Sequence, residues 1–152
     1  MKKLFVSLLS LLLVSCASQY RFNPLQNTGI GPFHTYVGQN LYRVHFKSLD
    51  SNKETTRLQA LTHAKYLTLQ QNLDWFIVLK EQVITEQLIN PETDQLSRIT
   101  CAQSGCDQTT YHNPQFKHQF DPTAPPTTTE IILMIRMGRG IQPADKDSYS
   151  AH

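Results

Sequence analysis

Two stretches of this chain alternate apolar and polar positions, one repeats at helical period, and one is apolar throughout. Residues 41–46 place Tyr42, Val44 and Phe46 on one side and Leu41, Arg43 and His45 on the other, which predicts a strand. From position 52 to 71 there is no Gly or Pro, and Ala60, Leu61, Ala64 and Leu67 share one face at helical spacing. Ser51-Asn52-Lys53-Glu54 fits a capping box, with a hydroxyl at the cap and a carboxylate three residues on. Asn72 is placed to end the helix in a left-handed conformation, with Leu73 folding back as its apolar contact. Asp74-Trp75-Phe76-Ile77-Val78-Leu79, extending through Val83 and Ile84, is apolar on both sides and reads as a central strand. Residues 130–137 alternate again, with Ile131, Leu133, Ile135 and Met137 against Ile132, Met134 and Arg136.

The order strand, helix, strand, insert, strand predicts an α+β fold. Its centre would be a small mixed sheet of three to four strands with one helix packed on one face. A right-handed crossover through the helix would make the first two strands parallel, and the last strand would pair antiparallel with either. In this arrangement Trp75 faces the helix beside Ala60 and Ala64. Phe76, Val78, Ile132 and Met134 lie on the face the helix leaves uncovered, and need another segment or a partner over them.

Residues 90–128 form a polar insert rich in Gln, Thr and Pro, long for a connection without structure of its own. Three forms are open to it: a functional loop, a mobile loop, or a partial hairpin with a short strand at 96–100. Residues 16–38 read as a tether and lead-in, punctuated by Pro24, Gly29, Gly31 and Pro32, and residues 142–152 as a polar tail. The predicted domain is 39–141.

The first fifteen residues change the picture most. Lys2 and Lys3 precede an apolar run over residues 4–14, interrupted only by Ser7 and Ser10, and Leu13-Val14-Ser15-Cys16 closes it. That is the layout of an export signal, and the run is shorter than the ~20 residues a spanning helix needs. Leu-Val-Ser-Cys resembles the lipobox of bacterial lipoproteins. The resemblance implies cleavage before Cys16, diacylglycerol on its sulfur and an acyl chain on its new amine, which together anchor a protein firmly on a membrane. Ala17, rather than Asp, after the cysteine implies sorting to the outer membrane, facing the periplasm, rather than retention at the inner membrane.

The chain carries 14 Lys and Arg against 12 Asp and Glu. Removing Lys2 and Lys3 leaves 12 against 12 in residues 16–152, so charge gives no case for nucleic-acid binding. An oxidising compartment favours pairing of the two remaining cysteines, Cys101 and Cys106, across Ala-Gln-Ser-Gly. The rival use of these thiols is a metal site with His112 and His118, although the spacing fits a zinc finger poorly. Arg43, His45 and Arg136 belong to the face away from the helix and form a candidate basic patch for an anion or an acidic partner. His34 and His63 read as separate surface residues. The chain has no G-x-S-x-G elbow, phosphate loop or H-E-x-x-H, and no cofactor is implied.

Tyr42-Arg43-Val44-x-Phe46, Leu61-x-x-Ala64-x-x-Leu67, Asp74-Trp75-Phe76-x-Val78 and Met137-Gly138-Arg139-Gly140 together resemble a family of small bacterial lipoproteins first named from Caulobacter proteins. The resemblance covers residues 41–80 and 130–150 and implies no catalytic residues or substrate class. The expectation is a non-catalytic lipoprotein of the outer membrane, held there by acylated Cys16, presenting an α+β domain to an envelope protein. The alternative is a metal- or small-ligand-binding lipoprotein using the Cys/His-containing insert.

Overall fold

The computed structural model describes residues 29–49, 52–116, 127–144 and 147–152. The expected signal segment, Cys16 and His118 lie outside these residues. One helix, α1 (Lys53–Gln70), and seven strands are described: β1 (Gly31–Gly38), β2 (Leu41–Ser48), β3 (Trp75–Asn90), β4 (Gln95–Ala102), β5 (Gly105–His112), β6 (Thr127–Gly138) and β7 (Ser148–Ser150). The strands form one sheet in the order β1-β2-β6-β3-β4-β5, with β7 paired to the start of β3.

Every pairing is antiparallel, so the expected small mixed sheet of three to four strands is wrong in both size and type. The crossover through α1 leaves β2 and β3 running the same way, but β6 enters between them and bonds to both. β6 has the most continuous apolar alternation in the chain. Ile131, Leu133 and Ile135 are fully buried, so the middle of the sheet is where its apolar face is best covered.

The extra strands come from segments whose composition hides them. β1 lies in the segment read as tether, and β7 lies in the segment read as tail, so the sheet reaches past 39–141 on both sides. Residues 95–112 of the insert are a hairpin, β4–β5, the third of the forms open to the insert, and its first strand runs beyond the expected 96–100.

Helix α1 is set by its two ends. Asn52, not Ser51, is the N-cap: its side-chain oxygen accepts from Thr55 N at 3.1 Å, and Thr56 Oγ1 donates to its carbonyl at 2.8 Å. At the other end Asn72 takes φ 55°, with Leu73 N donating to Thr68 O and Asn72 N to Leu69 O. That is the Schellman arrangement expected of Asn72, and Leu73 packs on the core as its apolar contact.

The core lies between α1 and the sheet. Ala60, Ala64 and Leu67 meet Tyr42, Val44, Phe76, Val83, Ile131, Leu133, Ile135 and Met137. The two alanines let the helix axis approach the strands closely. Phe76 and Val78 pair with Met137 and Ile135 and therefore face the helix. Trp75 and Ile77 take the other side, the reverse of the sequence expectation. The Trp75 ring occupies the space over Gly138, where a Cβ would clash with its Cζ2, Cη2 and Cε2.

Phase along β3 changes in its pairing with β6. Val78 pairs with Ile135 and Lys80 with Met134, so Leu79 is an extra residue and forms a bulge. Before it the even positions face α1; after it Glu81, Val83 and Thr85 do.

Candidate functional site

The sheet face away from α1 carries the unusual chemistry. Its rows follow from the register: Arg43, His45 and Lys47 from β2; Arg136, Met134, Ile132, Glu130 and Thr128 from β6; Lys80, Gln82, Ile84 and Glu86 from β3; Thr100, Arg98 and Leu96 from β4. Across the middle runs a groove of about 460 Å³, within the usual range for ligand sites. Ile84, Ile132, Met134 and Ala102 give it an apolar floor, and Arg43, Lys80 and Arg98 border it. Glu81 also borders it, but its carboxylate is held by Arg57 Nε of α1 at 2.8 Å. Neither Arg43 nor Lys80 has an ion pair among the described residues.

One end of this face is a buried ionic cluster. The Glu86 carboxylate accepts from Lys47 Nζ at 3.0 Å, Arg98 Nε at 2.8 Å, the Tyr111 hydroxyl at 2.6 Å and the Thr128 hydroxyl at 3.3 Å. Burial alone would push its pKa up. The Lys47 charge and the hydrogen bonds from Tyr111, Arg98 and Lys47 outweigh that, and the pKa falls to about 2. The Tyr111 phenol moves the opposite way, raised by burial and by its bond to the Glu86 carboxylate. The Arg98 guanidinium also lies over the Tyr111 ring, 4.4 Å from its centroid. Alongside, His45 Nδ1 meets Glu130 Oε1 at 2.7 Å, and Phe33 of β1 stacks on the imidazole at 3.9 Å.

Of the basic patch expected from sequence, Arg43 and Arg136 share this face, and Arg136 is exposed. His45 shares the face but is fully buried, so it belongs to the ionic cluster and not to a surface patch. Sequence reasoning missed Lys80, Arg98 and Glu86. The signal for them was present: charged residues in β3 and β4 segments that pair in the sheet interior must find partners or border a cavity.

Cys101 and Cys106 face one another at the end of the β4–β5 hairpin, with their sulfurs at bonding distance, 2.06 Å. Their thiolates are then unavailable to a metal, and His112 Nδ1 lies 3.0 Å from the Thr93 carbonyl oxygen. Among the described residues no three His, Cys, Asp or Glu side chains converge as a metal set. Asp74 receives the Gly140 N–H at 2.7 Å and lies 3.4 Å from His152 Nε2, which hold its pKa below the usual carboxylate value. It fixes the turn after β6. His34 and His63, read as separate, are in contact.

Comparison with protein-family models, with curated proteins and with solved structures finds no match to this chain. Among the described residues no helix is long and apolar enough to cross a membrane.

Proposed function

We propose that this chain is a non-catalytic lipoprotein, anchored to the outer membrane through Cys16. The groove on its open sheet face takes an apolar, acidic segment of an envelope protein. The observation that carries the reading is the groove itself: an apolar floor of Ile84, Ile132 and Met134 beside two cations, Arg43 and Lys80, that have no ion pair among the described residues. Apolar area supplies affinity, and unspent charge at the margin supplies orientation and faster encounter. The anchor rests on the Leu13-Val14-Ser15-Cys16 pattern and on the resemblance to a family of small bacterial lipoproteins. The alternative use of Cys101, Cys106, His112 and His118 for metal is weakened by the bond between the two sulfurs.

The test places a photo-crosslinking residue at Met134 in the full chain in intact cells. A single envelope protein should be captured, and Arg43→Glu should reduce capture about tenfold, roughly the 1.4 kcal/mol expected of one charge contact. Cys16→Ala should release the protein from sedimented membranes. Equal capture by the Arg43→Glu variant would remove the groove from the interaction, and a Cys16→Ala protein that still sediments would remove the anchor.

A further inference from the structure

His34 and His63 come from different elements and meet at their nitrogens. His34 is on β1, opposite Val44, and points to the helix side of the sheet. His63 is in the middle of α1, one residue before the core-facing Ala64. Nδ1 of His34 and Nε2 of His63 are 3.2 Å apart, while the ring centroids are 5.2 Å apart with planes inclined at 45°. The rings therefore meet nitrogen to nitrogen and not face to face.

We propose that this pair is a two-imidazole chelate for a divalent transition-metal ion such as Zn²⁺. A Zn²⁺ held at the usual 2.0–2.1 Å from both nitrogens would subtend an N–Zn–N angle of roughly 100–105° at this separation, inside the tetrahedral range. Imidazole ligates in its neutral form. Burial, and then the neighbouring His34, lower the His63 pKa and so favour that form. His34 is exposed and His63 half-buried, so water can complete the coordination. The two ligands are carried by backbones already fixed, one in the β1–β2 ladder and one in a capped helix, so little ordering is needed on binding. The bound ion would tie the edge strand β1 to α1. The inference is independent of the groove.

Zn²⁺ alone, titrated into the full chain in detergent, provides the test. Imidazole C–H resonances of His34 and His63 should shift together with one midpoint, and those of His112 and His152 should not follow. Calorimetry should give one ion per chain, with Kd at least tenfold weaker in His34→Gln and in His63→Gln, and the double variant little worse than either. Saturating Zn²⁺ should raise the Tm of the wild-type chain by about 5 °C and leave His63→Gln unmoved. Resonances that stay in place, that shift with separate midpoints, or an affinity unchanged in the variants would show a hydrogen-bonded histidine pair only, and would overturn the proposal.

Discussion

Glu86 is the residue on which the open face depends. Its carboxylate receives two cations, a phenol and a hydroxyl while almost wholly removed from water. Its pKa of about 2 lies below that of an unfolded glutamate, so its contribution to stability is complete above about pH 5 and fades as pH falls towards 2. The expected loss across that window is about 3 kcal/mol, measured by urea unfolding at a series of pH values. Glu86→Gln should lack this acid slope and be less stable at pH 7 by about 3–5 kcal/mol, because Lys47 and Arg98 stay buried without their counter-charge. Gly138 is a second such point. Gly138→Ala would drive a methyl into the Trp75 ring, so a loss of about 1–3 kcal/mol is expected together with a shift in the emission of the chain's one tryptophan. The sequence marks Gly138 as a strand end and Trp75 as a core residue. It does not show that the one makes room for the other, because that depends on the β3–β6 register.

Among the elements, α1 was legible because its signals are local: an uninterrupted helical stretch, small residues on one face, and Asn72-Leu73 at its end. β6 was legible for the same reason, as period-two alternation on a strand with one face fully buried. β1 and β5 were not. β1 begins at Gly31-Pro32 and ends at Gly38, which read as turn punctuation, and β5 (GCDQTTYH) is exposed at every position except Tyr111. Such strands are held by their neighbours' hydrogen bonds, which leave no trace in hydropathy. The disulfide of the β4–β5 hairpin closes only a short loop, so its effect should stay within that element. Cys101→Ser with Cys106→Ser should cost about 2 kcal/mol at most. Amide exchange should quicken in residues 95–112 while the protection of β2, β6 and α1 is kept.

At the scale of the whole molecule, the sheet separates two kinds of interior. Under α1 it is mainly apolar; on the opposite face it holds a buried ionic cluster beside an open apolar groove. The sequence could not reveal this division, because it follows from β6 entering between β2 and β3 and from the bulge at Leu79. That bulge works like a frameshift in the sheet. Were Leu79 paired in the ladder instead of bulged out of it, all positions after it would change sides: Lys80, Gln82 and Glu86 would turn towards Ala60 and Ala64, and Val83 would turn to the groove. Deleting half-exposed Leu79 would join Val78 to Lys80 in an unbroken ladder with every later residue on its present side, so cooperative unfolding and the Trp75 signal should be kept, and Leu79→Ala should cost less than about 1 kcal/mol. What matters at position 79 is that its residue stays uncounted by the ladder, not which one it is.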